Sequence, residues 1–219
     1  MTPFAARPSF STMRMLLSVS FCLLAGRAWS DAAADPDRLI DRLARTAPAR
    51  TEFVEARYSP LLREPIVVSG ELAYLGPAQL DRDVSSPYRE HTAIRDESVS
   101  IEREGEPPRT FALKRAPELR GLLTGFAGVL AGDSAAVKRS FTVAAKGTDE
   151  AWTLELTPVE STMQRRLTRI VVTGEAREPR CLLVFGARDA ATVMLLGAAV
   201  ASLPPDVPLA QLLERCRAE

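Results

Sequence analysis

The chain has 219 residues, of which 46% are hydrophobic and 26% charged, and it has 28 basic and 28 acidic residues. This composition is ordinary for a globular protein, and the length allows one sizeable core and favours one domain, or at most two. The balanced charge gives no sign of a nucleic-acid partner.

The N-terminus has the features of a secretory signal peptide. Arg7 and Arg14 form a basic region, residues 15–25 are mostly apolar, and residues 28–30 (AWS) have small residues at both ends of a cleavage site. The apolar segment is too short for a membrane span, which needs about 20 residues. We therefore expect cleavage after Ser30 rather than a retained anchor.

Cleavage would leave a mildly acidic mature chain. It removes three arginines and no acidic residue, so 25 basic residues would remain beside 28 acidic ones. That balance argues against docking on anionic lipid by charge alone. Cys22 lies inside the apolar segment and follows Phe21 rather than a small residue, so we expect a soluble exported protein rather than a lipoprotein.

Two further cysteines, Cys181 and Cys216, remain in the mature chain. An exported protein meets an oxidising compartment, where an even pair of cysteines is more often a disulfide than two free thiols. We therefore predict a disulfide between them that ties the last helix to the sheet.

The mature chain begins with a predicted helix and then changes to strands. Asp35 and Pro36 are typical of a helix start, and residues 37–46 place their apolar side chains on one side. Residues 51–59 alternate apolar and charged side chains imperfectly, and we predict a strand there.

Residues 66–96 predict an antiparallel meander around which the rest of the chain is organised. In the first run, Leu72 and Tyr74 lie on one face, with the period of two expected for a strand that has one buried side. Gly76-Pro77 ends this run because proline has no N–H to donate. Further strands are predicted at residues 79–84, from Tyr88 onwards, and at residues 97–103 and 110–114. The apolar face of this meander needs a cover.

The pattern changes to a helical period in residues 116–132. Apolar side chains recur there at helical spacing, and they include Leu122, Leu123 and Phe126. Three glycines interrupt this helix, and each costs up to about 1 kcal/mol relative to alanine. They are explained either by tight packing on a sheet or by a covering helix that can lift.

The C-terminal part returns to strands and ends in a helix. The clearest strand is at residues 150–157, where Trp152, Leu154 and Leu156 share one face. The other predicted elements are strands at residues 140–145, 168–173, 181–185 and 192–196 and a helix at residues 208–217.

The sequence contains no motif for catalysis, metal binding or cofactor binding. The single histidine, His91, is not accompanied by a G-x-S-x-G sequence, so a hydrolase that uses it is a remote alternative. No H-E-x-x-H, C-x-x-C or glycine-rich phosphate loop occurs either. We therefore predict that the protein is not an enzyme and has no metal or cofactor.

The order of these elements resembles the LolA family of periplasmic lipoprotein carriers, in particular its divergent LolA-like branch. The resemblance is carried by S-G-E-L-A-Y-L-G-P at 69–77, S-P-Y at 86–88, G-D at 132–133 and W-T-L-E-L-T-P at 152–158. In LolA the residue before the proline of the strand-end motif is an arginine that ties a covering helix down. Here that position is Gly76.

The resemblance implies a mainly β fold with helices (α+β), in which a strongly curved antiparallel sheet forms an incomplete β-barrel. Helices would cover the mouth of an apolar cavity. The domain organisation would be a signal peptide at residues 1–30 and a single lipid-carrier domain at residues 31–219. The cavity would be lined by Leu72, Tyr74, Leu122, Leu123, Phe126, Trp152, Leu154 and Leu156.

The resemblance also implies a monomeric, soluble periplasmic carrier that shields the acyl chains of a lipoprotein or other lipid between the inner and outer membranes. Its partners would be this cargo, a donor transporter at the inner membrane and an acceptor at the outer membrane, with no nucleic acid. The alternative is a non-catalytic structural or accessory exported protein whose sheet packs on itself or on a protein partner. A fully packed core of the same apolar residues would favour that alternative.

Overall fold

The computed structural model describes residues 34–200 and 203–217, in which one antiparallel sheet of eleven strands dominates the fold. The strands are β1 (Ala49–Tyr58), β2 (Ile66–Gly76), β3 (Gln79–Ser86), β4 (Glu90–Arg95), β5 (Ser98–Arg103), β6 (Arg109–Ala112), β7 (Phe141–Gly147), β8 (Ala151–Pro158), β9 (Leu167–Glu175), β10 (Glu178–Gly186) and β11 (Ala191–Leu196). The predicted signal peptide, including Cys22, lies outside the described residues.

Helical segments precede, interrupt and follow the strands. They are α1 (Pro36–Leu43), α2 (Pro117–Leu122), a π-helical turn (Leu123–Ala127), α3 (Gly128–Leu130), α4 (Ser134–Ser140), α5 (Ser161–Gln164) and α6 (Leu209–Arg215). The start of α1 is as predicted, because the Asp35 side chain accepts a hydrogen bond from the Asp37 N–H and Pro36 is the first helical residue. Within the described residues, no helix is long and apolar enough to cross a membrane.

The sheet consists of two antiparallel meanders joined side by side. β1 to β6 form the first meander and β7 to β11 the second, and they meet where β1 pairs with β11, with Val54 opposite Leu195. β6 and β7 are therefore the two edges, and the sheet does not close. The segment that links these edges contains α2, the π-helical turn, α3 and α4.

Side chains from both halves of the sheet meet in one core, so the sheet is curved. Ile94 and Val99 lie near one edge and Phe141 and Leu154 near the other, yet all four belong to a single cluster of buried residues. Residues of α1, the π-helical turn and α3 complete this main core. The fold is therefore the predicted one, an open, curved antiparallel sheet with helices over its concave face.

A glycine permits a local bend between β2 and β3. The pairing register of these strands shifts between Ser69 and Gly70. A Cβ atom added at Gly70 would lie 1.8 Å from the carbonyl oxygen of Asp83, a distance that no side chain allows. Glycine therefore makes possible a β-bulge, which increases the local twist of the sheet.

The convex face of the sheet carries a second, smaller core. In β10, Leu182 and Val184 pack against the main core, whereas Cys181 and Leu183 belong to the second core, as the period of two requires. α6 packs on this second core. The predicted disulfide is present there, because Cys181 and Cys216 are bonded with their Cα atoms 5.6 Å apart. It ties the last helix to the sheet.

Each predicted strand corresponds to a strand of the sheet, with differences at the ends. The strand predicted from Tyr88 onwards is β4, which begins at Glu90, and the first helix ends at Leu43 rather than at Thr46. The short helix α5 was not predicted.

Candidate functional site

The covering helix, residues 117–130, lies directly on one part of the sheet. It consists of α2, the π-helical turn and α3. A Cβ atom added at Gly125 would lie 3.0 Å from Leu156 Cδ1 and 3.2 Å from Ile170 Cδ1. A larger residue at this position would therefore hold the helix away from β8 and β9. These contacts support tight packing as the reason for the glycine.

Beside this contact, a partly open cavity of about 440 Å³, here called the apolar cavity, lies between the covering helix and the sheet. Its apolar wall is formed by Leu119, Leu122, Leu123, Phe126 and Ala127 from the helix and by Leu72, Leu80, Ile94, Leu182, Val184 and Met194 from the sheet. This volume lies within the range of pockets that enclose small ligands. A wall of this chemistry stabilises a bound hydrocarbon by removing it from water.

Four of the eight residues predicted for the cavity, namely Leu72, Leu122, Leu123 and Phe126, line the apolar cavity. A fifth, Tyr74, lines an adjoining pocket of about 110 Å³. The two spaces share Leu72, Leu80 and Phe126, so they lie side by side beneath the covering helix.

The other three predicted residues, Trp152, Leu154 and Leu156, line neither of these spaces. Each is 0% exposed and belongs to the main core. They share the predicted face of β8, where the covering helix contacts Leu156 at Gly125 and the Trp152 ring lies against Gly174 of β9. The structure therefore places them in the packed core and not at the cavity wall.

One side of the apolar cavity is polar, and it was not predicted from the sequence. Glu55, Arg57 and Arg82 all line the cavity, and Glu55 as a residue is only 3% exposed. It accepts hydrogen bonds from Arg57 Nε and from Arg82, the latter at 3.1 Å. The Arg82 guanidinium lies 5.0 Å from the centre of the Phe53 ring and also approaches the Glu90 carboxylate at 3.5 Å. We call Glu55, Arg57 and Arg82 the polar wall.

The charges of the polar wall are matched within the protein. Burial lowers the pKa of the Arg82 guanidinium, although arginine remains charged at any physiological pH. The buried Arg82 Nε has no hydrogen-bond partner among the described residues, so the polar wall retains an unused donor. A signal for this wall was present in the sequence, since Glu55 and Arg57 follow Phe53 at intervals of two and share its face.

His91 lies away from the apolar cavity. Its Nδ1 is 2.6 Å from Asp83 Oδ1, and both side chains border an open surface pocket formed by β3, β4 and β5. In residues 34–200 and 203–217, no group of three or more histidine, cysteine, aspartate or glutamate side chains is placed to hold a metal ion.

Comparison with known families gives one match. The family model described as "Outer membrane lipoprotein carrier protein LolA-like" matches residues 28–213 of this chain. No curated protein matches the sequence significantly.

Three solved structures match most of this chain, with low sequence identity and low TM-scores. A LolA superfamily protein from Nitrosomonas europaea is 12% identical over 78% of this chain and 96% of its own, with a TM-score of 0.41. LprF from Mycobacterium bovis is 11% identical over 79% of this chain and 94% of its own, with a TM-score of 0.33. A DUF1329 family protein from Desulfovibrio piger is 9% identical over 82% of this chain and 100% of its own, also with a TM-score of 0.33.

Proposed function

Since the chain belongs to the family of LolA-like outer membrane lipoprotein carrier proteins, we propose that it is a soluble periplasmic carrier of acyl chains. LolA-like proteins are periplasmic, non-catalytic and bind lipids or lipoproteins. In this proposal the protein shields the acyl chains of a lipoprotein or another lipid during transfer from the inner to the outer membrane.

The apolar cavity is the observation that carries this proposal. A chain of about 15 methylenes gains ~0.8 kcal/mol for each one buried, or ~12 kcal/mol in total. Ordering the chain and opening the site reduce that gain by several kcal/mol. The free energy that remains is enough to hold an acyl chain. Because the periplasm supplies no energy source, the chain must also leave the site without one.

The attachment of the covering helix is consistent with release of cargo. Arg120 is 3.6 Å from the Glu160 carboxylate, and both side chains are substantially exposed, so this pair contributes little. At the other end, the Leu130 carbonyl accepts a hydrogen bond from the Arg45 N–H at 2.7 Å. Gly76 provides no side chain for the arginine contact of LolA. The ends of the helix are therefore held by few polar contacts, and its middle is held by packing on the sheet at Gly125. In this proposal the helix moves when cargo enters or leaves, and that packing is the main contact that the movement breaks.

The proposal includes the route of the protein and its partners. Residues 1–30 direct export and are removed, and residues 31–219 act as a single monomeric domain. The cargo passes from a donor transporter in the inner membrane to this carrier and then to an acceptor at the outer membrane. The alternative, an accessory protein whose sheet packs only on itself or on a partner protein, does not explain an apolar space beneath the covering helix.

The test is direct binding of an acyl chain. Purified protein is extracted and its lipids identified by mass spectrometry, and a fluorescent fatty acid is titrated into delipidated protein. Ala127→Phe should fill the apolar cavity and weaken binding at least tenfold, because Ala127 lines it. Ala135→Phe, on the exposed side of α4, is the matched control and should bind as the wild type does.

A urea melt of each variant separates a blocked cavity from a lost fold. If the folded wild type binds no acyl probe and releases no lipid, the carrier proposal is wrong. Equal binding by Ala127→Phe and Ala135→Phe would show that the probe binds elsewhere.

A further inference from the structure

A second large space, the rim pocket, lies beside the apolar cavity and has a volume of about 710 Å³. It is located where β9 begins and where the turn between β10 and β11 reverses the chain. Its wall consists of Tyr58, Arg165, Arg166, Leu167, Val184, Gly186, Ala187, Arg188, Ala190, Ala191 and Thr192.

The rim pocket adjoins the apolar cavity through shared wall residues. Val184 and Thr192 line both spaces. They are register partners in β10 and β11, and Val184 packs against the main core, so this boundary lies on the concave face. A molecule whose chain occupies the apolar cavity can therefore extend into the rim pocket without crossing the sheet.

The rim pocket is rich in positive charge. Arg165, Arg166 and Arg188, here called the rim arginines, are exposed and line it, and none of the described residues in its wall is acidic. Asp189 follows Arg188 in the chain but is not part of this wall. Arg57 of the polar wall lies opposite Thr192 in the β1–β11 pair, but it is paired with Glu55, so the positive charge of the rim pocket comes from the rim arginines.

Backbone hydrogen bonds fix the positions of the two segments that carry the rim arginines. The Arg166 carbonyl accepts a hydrogen bond from the Ala187 N–H at 3.1 Å, which ties the β10–β11 turn to the start of β9. The Gly186 N–H donates to the Ala190 carbonyl at 2.8 Å and closes the same turn. The start of β9 and the β10–β11 turn, which are separate in the sequence, thus place their guanidinium groups around the rim pocket.

We propose that the rim pocket binds the anionic head group, a phosphate or a carboxylate, of the amphiphile whose acyl chain lies in the apolar cavity. Guanidinium groups donate paired hydrogen bonds that match the oxygens of either anion. An anion is costly to bury among apolar side chains, so the head group stays at this wetter, basic rim while the chain enters the cavity. This inference rests on the proposed carrier function, and it adds the chemistry and the orientation of the cargo.

The test uses two ligands that differ only by a phosphate, lysophosphatidic acid and the monoacylglycerol with the same acyl chain. Each displaces a neutral fluorescent acyl probe from delipidated protein below its micelle concentration. The wild type should bind the phosphate ligand about tenfold more tightly at low salt, which is what three exposed charge pairs provide together. This preference should shrink at high salt, because exposed charges are screened.

Replacement of the rim arginines should remove the preference alone. The triple variant Arg165→Gln, Arg166→Gln and Arg188→Gln should bind both ligands with the affinity that the wild type has for the neutral one. The matched control carries the same change of charge at exposed arginines elsewhere. Its substitutions are Arg38→Gln, Arg109→Gln and Arg217→Gln. The control should keep the tenfold preference.

The remaining outcomes would overturn the inference, and they differ from failure of the carrier function. Equal binding of the two ligands by the wild type would reject the head-group site while leaving the carrier function intact. Binding of neither ligand would reject both. If inorganic phosphate alone competes as strongly as lysophosphatidic acid, the site binds a free anion and not a lipid. If the triple variant loses only binding to phosphatidylglycerol vesicles, the rim arginines contact a membrane surface instead.

Discussion

Two phenylalanines allow the apolar cavity to be tested against a packed core with the same substitution. Phe141 is 1% exposed, and its Cε2 is one of the atoms that a Cβ at Gly125 would meet, at 3.3 Å. Phe141→Ala should therefore cost ~3–5 kcal/mol of unfolding free energy, as for a tightly packed phenylalanine. Phe126 is 7% exposed and borders a cavity of about 440 Å³, so one side of its ring has few packing partners.

Because those contacts are already missing, Phe126→Ala should cost about 2 kcal/mol, roughly half as much as Phe141→Ala. In a domain of this size the two losses correspond to shifts in Tm of about 5 °C and about 10 °C. Urea melts of delipidated protein give the two free energies, and titration of the fluorescent fatty acid gives the affinities. Phe126→Ala should weaken binding severalfold. Equal losses of stability, together with unchanged binding by Phe126→Ala, would refute the reasoning.

Three further predictions concern the stability of the fold. The disulfide Cys181–Cys216 closes a loop with a sequence separation of 35, so its reduction should lower the free energy of unfolding by roughly 4 kcal/mol. Thiol titration of the denatured, unreduced protein should find no free thiol. Glu55→Gln should cost about 3 kcal/mol in a urea melt, since it leaves the buried Arg82 without its closest buried carboxylate; a loss below about 1 kcal/mol would show that the pair is solvated. Gly125→Val should cost ~1–3 kcal/mol by lifting the covering helix, and a melt identical to that of the wild type would contradict the close contact.

The strands were predictable because a strand with one buried face alternates its side chains with a period of two. β8 is the clearest case, since Trp152, Leu154 and Leu156 are fully buried and the residues between them are not. The covering helix was predictable from its helical period. α5 was not, because a helix of four residues is too short to show a period.

The wall of the cavity depends on where the covering helix crosses the sheet, and no local pattern records that position. Leu154 and Leu182 both face the concave side, yet only Leu182 lines the apolar cavity. The polar wall was missed for a similar reason. The buried Glu55 is paired with Arg57 of its own strand and with Arg82 from β3, and the second pairing cannot be read from either strand alone.

The position of β1 beside β11 also determines when a binding site can first exist during folding. Each meander joins strands that are neighbours in the sequence, so its pairs form at small loop-closure cost. The floor of the apolar cavity instead needs Leu72 from the first meander and Met194 from the second, which meet only after β11 has docked on β1. We expect pulse-labelled hydrogen exchange to find the amides of the β1–β11 pair protected last. If the proposed function is correct, a partly folded molecule has no complete site for an acyl chain, and lipid is accepted only by molecules whose final strand is already in place.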